Sequence, residues 1–333
     1  MIKKKILIIS NDSLYINKNI VSSDYNDTVN IIESIINKQN TFIYSRTSIY
    51  VKNFCIKSRR YNFKKFSFLD LINKKNFKIF MISITPFNFF SFIVAKTFNK
   101  KINGYVYLRS DGIKEYHYKY GYIGKLIYFL MLKIITSFLK TVSVSNNISN
   151  IPKKTYLVNP SEITNDWLKN RKKPKLDKPR LLYLGRFKKE KGIHSLIKLI
   201  NLMSDKLELK IVGIKKKSKL FNQRIKFYSE TNSEKKIINY YDSCNIFILP
   251  SYTEGAPKVI LESLSRLRPV IVFEEIEHVK RNFYGIFVCK RNSLDLKKKI
   301  NFIMNNYFQI SENIRKNRIA TKKEFQKKLS KII

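Results

Sequence analysis

The chain has 333 residues, 44% of them hydrophobic and 14% aromatic, which is ample for two packed domains of about 150 residues and excludes a disordered chain. Lys and Arg number 66 against 24 Asp and Glu, a formal charge of +42 that calls for an anionic partner such as nucleic acid, an acidic membrane surface or a phosphorylated substrate. Residues 1–150 hold 24 basic and 7 acidic residues, so the excess is spread over both halves and is not a basic tail on a neutral domain.

The N-terminal MIKKKILIISNDSLY has an apolar run of only ILII, too short for a signal peptide, and reads as a first strand over 5–10. A helix is expected over 28–38 and a strand over 41–46. The stretch 51–65 mixes six cations with aromatics, which suits either contact with an anionic membrane or phosphorylated glycolipid, or a solvated edge. Strands are expected at 78–84, 104–110 and 141–145, with a helix at 89–100. The longest apolar tract, Tyr122 to Lys140, is interrupted by Lys125 and Lys133 and falls short of a spanning helix. Two readings stay open for it: a helix buried under a sheet, or a monotopic helix whose lysines snorkel while Tyr122 and Tyr128 sit at headgroup depth.

Residues 146–180 are polar and carry Pro152, Pro160, Pro174 and Pro179, the best domain boundary. The alternation then restarts: strands at 180–186, 207–214, 224–229, 245–251, 269–275 and 285–290, and helices at 193–204, near 233–243, from Pro257 and from Ser293, an expected N-cap. The organisation that follows is a domain at 1–160, a linker at 161–179, a second domain at 180–305 and a basic terminal helix at 306–333. Near-continuous apolar strands alternating with helices imply two doubly wound α/β domains facing a cleft, with ligands bound beyond the carboxyl ends of the strands. Cys55, Cys244 and Cys289 are far apart without CxxC spacing, and are expected to be buried thiols in a reducing compartment.

Two loops carry the chemistry. In YLGRFKKEKG (183–192), Gly185, Arg186 and Lys191 follow a strand: a planar guanidinium fork and a point charge suit a diphosphate. In SYTEGAPKVILESL (251–264), Glu254 precedes Gly255, Ala256 and Pro257, with Pro257 expected at the first helical position, and Glu262 lies inside the helix. Helix amides aimed at an anion, flanked by two carboxylates that accept hydroxyl hydrogen bonds, describe a site for a nucleotide sugar.

These motifs, in this order and each on a strand-to-helix turn, resemble the C-terminal half of family 4 retaining glycosyltransferases of the GT-B fold over roughly residues 180–290. The resemblance implies that Arg186 and Lys191 neutralise the donor diphosphate and that the Gly255–Ala256–Pro257 backbone lies against it. It implies that Glu254 contacts the transferred sugar and Glu262 the ribose, with no metal and no bound cofactor needed. It departs at the first strand, where SNDSLY lacks the family's Gly-Gly turn. On the acceptor side, YVYLRSDGIKEYH (105–117) offers Arg109 for an acceptor phosphate and Asp111 or His117 for an acceptor hydroxyl. His194 and His278 read as structural.

The expected function is transfer of a sugar to a glycan or lipid-linked acceptor in bacterial lipopolysaccharide or other cell-surface polysaccharide synthesis. The chain would work in the cytoplasm, peripheral on the membrane's inner face. The alternatives are an epimerase or phosphorylase of the same fold, and a nucleic-acid-binding protein. The last is disfavoured because the charge is diffuse and no RNA- or DNA-binding motif occurs.

Overall fold

A computed structural model describes residues 5–17, 19–36, 40–57, 63–74, 76–203, 206–214 and 224–333. Expectations that touch residues 1–4, 37–38, 58–62 and 204 lie outside them. The chain divides into two compact units, Met1–Pro160 with Lys322–Ile333, and Ser161–Thr321.

The first unit contains β1 (Lys5–Asn17), β2 (Ile20–Ser23), α1 (Asn26–Ile36), β3 (Asn40–Thr47), β4 (Phe54–Lys57), β5 (Lys64–Lys65), α2 (Phe68–Asn73), β6 (Phe77–Ile82), α3 (Pro86–Phe98), β7 (Gly104–Leu108), α4 (Gly112–Phe138), β8 (Lys140–Ser143) and β9 (Thr155–Leu157). β1, β3, β5, β6, β7, β8 and β9 pair in parallel, and β2 joins β1 and β4 antiparallel. The central strands are apolar throughout because helices cover both faces: GYVYL of β7 is buried at every position. β1 departs from expectation. With no glycine to turn it, the chain bulges between Ser10 and Ser13 and continues as strand to Asn17.

The second unit runs α5 (Asn165–Leu168), β10 (Arg180–Leu184), α6 (Ile193–Asn201), β11 (Glu208–Ile214), β12 (Ile225–Ser229), α7 (Glu234–Asp242), β13 (Ile246–Leu249), α8 (Lys258–Ser265), β14 (Val270–Phe273), β15 (Ile286–Cys289), α9 (Ser293–Asn305) and α10 (Tyr307–Arg315). Its six strands are all parallel, in the order β12-β11-β10-β13-β14-β15. This is the doubly wound order in which the winding reverses between the first and fourth strands. The loops after β10 and β13, the two that carry the sequence motifs, therefore open side by side at the switch point.

Several boundaries move. Residues 161–179, expected as a linker, belong to the second unit: Ile163 and Trp167 enter its core. The fully buried Arg266 explains the attachment. It clamps Asp242 at 2.8 Å and donates to the carbonyls of Trp167, Lys169 and Asn170, giving a polar-looking segment a fixed seat. The expected terminal helix is two helices in different units. α10 buries Tyr307, Ile310 and Ile314 in the second unit, whereas α11 (Lys322–Ile332) returns to the first. There Phe325 and Leu329 are buried, worth roughly 1.5–3 kcal/mol each. Gln326 donates to Glu33 at 2.6 Å and Lys322 pairs with it at 3.1 Å. Asn292, not Ser293, caps α9, its Oδ1 accepting from the Asp295 amide at 2.8 Å. Cys244 and Cys289 are buried, which pushes both thiols up to about 12, but Cys55 is exposed.

Candidate active site

The loop after β10 ends in a 3-10 turn, Lys189–Lys191, and then Gly192 with φ 66°. Glycine is required here twice over. The left-handed backbone disfavours a side chain, and a Cβ would stand 1.9 Å from the Pro250 carbonyl oxygen. That close approach seats the first loop directly on the end of β13. The Tyr252 amide donates to the Glu190 carbonyl at 3.0 Å, closing the seam.

Across the seam, Lys191 Nζ donates to Glu254 Oε1 at 2.7 Å, and Ser251 Oγ donates to the same oxygen at 2.7 Å. His278 Nε2 lies 2.9 Å from the Glu254 carbonyl oxygen, fixing the loop from below. Arg186 is exposed, and its guanidinium makes no ion pair or hydrogen bond among the described residues, while its carbonyl accepts from Tyr183 Oη at 2.9 Å. Gly255 and Ala256 form the turn into α8, where Pro257 is the N-cap, one position earlier than expected; its missing N–H is still harmless there. Neither α6 nor α8 has a side-chain cap, whereas α7 and α9 in the same unit do. The short α5 and α10, which directly follows α9, also lack one. Two uncapped N-termini beside Lys191 and Arg186 present unsatisfied amides and positive dipole ends from adjacent turns.

Glu262 is buried on α8, where Tyr241 Oη donates to its Oε2 at 2.9 Å. Burial first, and the Glu162 carboxylate second, push its pKa up to about 7 against the opposing pull of Lys258 and Tyr241. Among the described residues, Oε1 takes no hydrogen bond from the protein.

Residues 165–322, nearly the whole second unit, match the family described as "Glycosyl transferases group 1". An Anabaena protein, Alr3699/HepE, whose crystal structure is in complex with UDP-glucose, is 11% identical and aligns over 98% of this chain and 98% of its own, with a TM-score of 0.66. The fold is GT-B. Among curated relatives, the putative teichuronic acid biosynthesis glycosyltransferase TuaC of Bacillus subtilis is 30% identical over 33% of this chain and 28% of its own. The N,N'-diacetylbacillosaminyl-diphospho-undecaprenol alpha-1,3-N-acetylgalactosaminyltransferase of Campylobacter jejuni is 25% identical over 38% of this chain and 36% of its own. The chain spans less than half the length of the curated relatives it matches.

In the first of the two GT-B units, the acceptor-side candidates each have partners within the fold. Asp111 is the N-cap of α4: its Oδ1 accepts from the Lys114 amide, and its Oδ2 from the Ser149 amide and hydroxyl at 3.2 and 2.7 Å. Buried and engaged at both oxygens, it holds the helix in place. Arg109 is likewise committed. Its Nε donates to Ser83 Oγ at 2.7 Å, and its Nη1 faces Thr28, Asp27 and Asp12 at 3.0, 3.2 and 3.5 Å. Burial works to lower its pKa, but Asp27 and Asp12 outweigh that and hold it above the ordinary value. These contacts tie β7 to α1 and β1. His117 is exposed and packs edge-on against Tyr122 at 4.8 Å, apart from both.

Two residues of the GT-B switch point escaped the sequence reading. His278 was read as structural without its partner loop. Arg291 belongs to neither sequence motif. It follows β15, donates to the Pro250 carbonyl at 3.0 Å, pairs with Glu275 at 2.6 Å and stacks over Tyr252 and Phe273 with its guanidinium carbon 4.2 and 4.3 Å from the ring centres. Its Nη1 is buried with no partner among the described residues, beneath Gly192. The available signal was a cation directly after an apolar strand, GIFVCKR, the same placement that marked Arg186.

Proposed function

We propose that this protein is a retaining, metal-independent glycosyltransferase that moves a hexose-type sugar from a nucleotide donor to a lipid-linked or glycan acceptor in bacterial surface-polysaccharide synthesis. The observation that carries the reading is the Lys191–Glu254 pair at the switch point, set between the uncapped N-termini of α6 and α8. Arg186 and Lys191, with the Gly255–Pro257 backbone, bind the diphosphate. The Glu254 carboxylate takes sugar hydroxyls and Glu262 Oε1 takes a ribose hydroxyl. These fixed donors meet the charge that grows on the leaving diphosphate and so lower the barrier. As the bond from the anomeric carbon to the diphosphate oxygen breaks, the acceptor oxygen attacks the same face and its proton passes to the departing phosphate. The Anabaena neighbour's UDP-glucose complex and the Campylobacter relative's undecaprenol-linked acceptor support the donor and acceptor classes.

A thermal-shift screen of the full chain against UDP, GDP, CMP and their sugar conjugates tests the donor site, because a ligand bound only by the folded state raises the melting temperature with concentration. A nucleoside diphosphate or its sugar should stabilise the protein, and Lys191→Ala should reduce the shift at the same ligand concentration. No shift from any nucleotide would refute the reading. With the donor known, the anomeric configuration of the product by NMR, with and without EDTA, tests retention and metal independence.

A further inference from the structure

α4 carries a surface that the donor site does not use. Its backbone breaks at Gly121 (φ 65°), and Tyr122–Phe138 continues as an amphipathic helix. Gly124, Tyr128, Met131, Leu132 and Ile135 pack inward, so Tyr128 is a core residue and not the headgroup anchor of the monotopic reading. The opposite face exposes Tyr122 at 79%, Ile123 at 74% and Leu126 at 58%, together with Ile127, Leu130, Ile134 and Phe138. At helical spacing, Ile123, Leu126, Ile127, Leu130, Ile134 and Phe138 share an arc of roughly 120°. Only 28% of the helix's apolar window is buried, which sets it apart from a core helix. Lys133, exposed, flanks that arc roughly 80° from its centre, Lys125, also exposed, lies roughly 160° from it, and Lys96 of α3 sits over the Phe138 ring at its end.

The charge around the stripe names what covers it. Between residues 71 and 161 there are 14 Lys and Arg and two acids. Asp111 is buried as a cap, and Glu115 is paired with Lys119 at 2.5 Å. A second copy of the same face would set this positive field against itself, whereas an anionic bilayer meets both the charge and the apolar side chains. Gly112–Phe138 as a whole is long and apolar enough to cross, but its backbone breaks at Gly121, the seventeen residues from Tyr122 to Phe138 span about 25 Å against a hydrocarbon core of about 30 Å, and one face is occupied by the protein, which favours lying in the surface over crossing.

We infer that the Tyr122–Phe138 helix lies in the plane of an anionic lipid surface, its Ile123–Phe138 stripe among the acyl chains, Lys133 at the phosphates and Lys125 adding to the positive field above them. This does not depend on the donor assignment. The full chain is sedimented with vesicles of phosphatidylcholine alone and with about a third phosphatidylglycerol. Partition into the anionic vesicles should exceed that into neutral ones by about tenfold and fall with added salt. Ile123→Gln/Leu126→Gln/Leu130→Gln, at exposed positions, should lose it while keeping the parent melting temperature and nucleotide response; Lys125→Glu/Lys133→Glu should lose the preference for anionic lipid. A parent chain that stays in the supernatant overturns the inference. So does a triple variant that binds like the parent, or a dimer abolished by the triple variant without vesicle binding. Resistance of bound protein to alkaline carbonate extraction would show a spanning helix and overturn it as well.

Discussion

Lys191 Nζ stands 2.7 Å from Glu254 Oε1, joining the loops after β10 and β13 across the point where the winding of the second sheet reverses. Without substrate the cation and the acid satisfy each other. A diphosphate arriving at Lys191 must share that ammonium, and a sugar hydroxyl must share Glu254, so the pair is a gauge of both ends of the donor. Lys191→Ala should weaken binding of a nucleoside diphosphate by about ten- to a hundredfold, the value of a charge-assisted hydrogen bond or two. Glu254→Gln removes the competing acid. It should leave nucleoside diphosphate affinity equal or higher while sugar transfer falls by at least about a hundredfold. Calorimetric titration with the diphosphate, beside a transfer assay, separates the two effects; equal loss of both activities in Glu254→Gln would contradict the division of roles.

The contact of Gly192 with Pro250 is what holds those loops in register. Gly192 and Gly121 have nearly the same positive φ, 66° and 65°, but a Cβ at 121 meets nothing within 4 Å, whereas at 192 it meets the Pro250 carbonyl at 1.9 Å. Their ψ values differ, 11° at Gly192 and −154° at Gly121, and the second lies in a region essentially reserved for glycine, so Gly121→Ala should cost backbone strain of about 1–3 kcal/mol without any clash. Gly192→Ala should cost the left-handed penalty of about 1–2 kcal/mol and also force the loops apart, lowering nucleotide affinity by at least about tenfold, a loss Gly121→Ala does not share. Denaturant unfolding and nucleotide titration of the two variants make the comparison.

Most of the second unit was legible because a parallel strand buried on both faces leaves an unbroken apolar run, as in VIVF and IFIL, and because a strand-to-helix turn bearing Gly, Arg and Lys or Glu, Gly and Pro has few structural uses. What stayed hidden depended on partners distant in sequence. Asp111 looks like a free carboxylate after a strand until Ser149 is seen to donate to it. Arg109 looks like a phosphate ligand until Asp12 and Asp27 arrive from β1 and α1. Nothing local to α11 says that Phe325 and Leu329 fill the first unit's core, because an amphipathic pattern specifies a buried face but not which core receives it.

Glu262 makes stability and donor binding respond to pH. Its folded pKa of about 7 lies above the ordinary glutamate value, so the folded state holds a proton that the unfolded chain has released. Stability should be greatest below the unfolded pKa, fall as pH rises through about 4.5 to 7, and level off above, a contribution of about 3 kcal/mol at most. Glu262→Gln should flatten that slope. Nucleoside diphosphate binding that uses an ionised Glu262 should strengthen over the same rise in pH in the parent and not in the variant. Urea unfolding and titration from pH 5 to about 8 measure both.

The Arg266–Asp242 pair tests whether residues 161–179 belong to the second unit energetically as well as geometrically. The guanidinium grips both carboxylate oxygens, at 2.9 and 2.8 Å, and donates to the carbonyls of Trp167, Lys169 and Asn170, at 1% exposure. Removing it leaves a buried carboxylate with Arg268 3.8 Å away and three carbonyls short of a donor. Arg266→Ala should cost about 3–5 kcal/mol, and Arg266→Lys, which keeps the charge without the planar fork, should fall between. Trp167, the chain's single tryptophan, packs edge-on against Tyr241 at 5.7 Å and reports the event directly. Its fluorescence should shift in the same denaturant transition as the second unit's circular dichroism, and that shared midpoint should drop in Arg266→Ala. A loss under about 1 kcal/mol, or a Trp167 transition that precedes the rest, would mean that the segment behaves as the tether its prolines and lysines suggested.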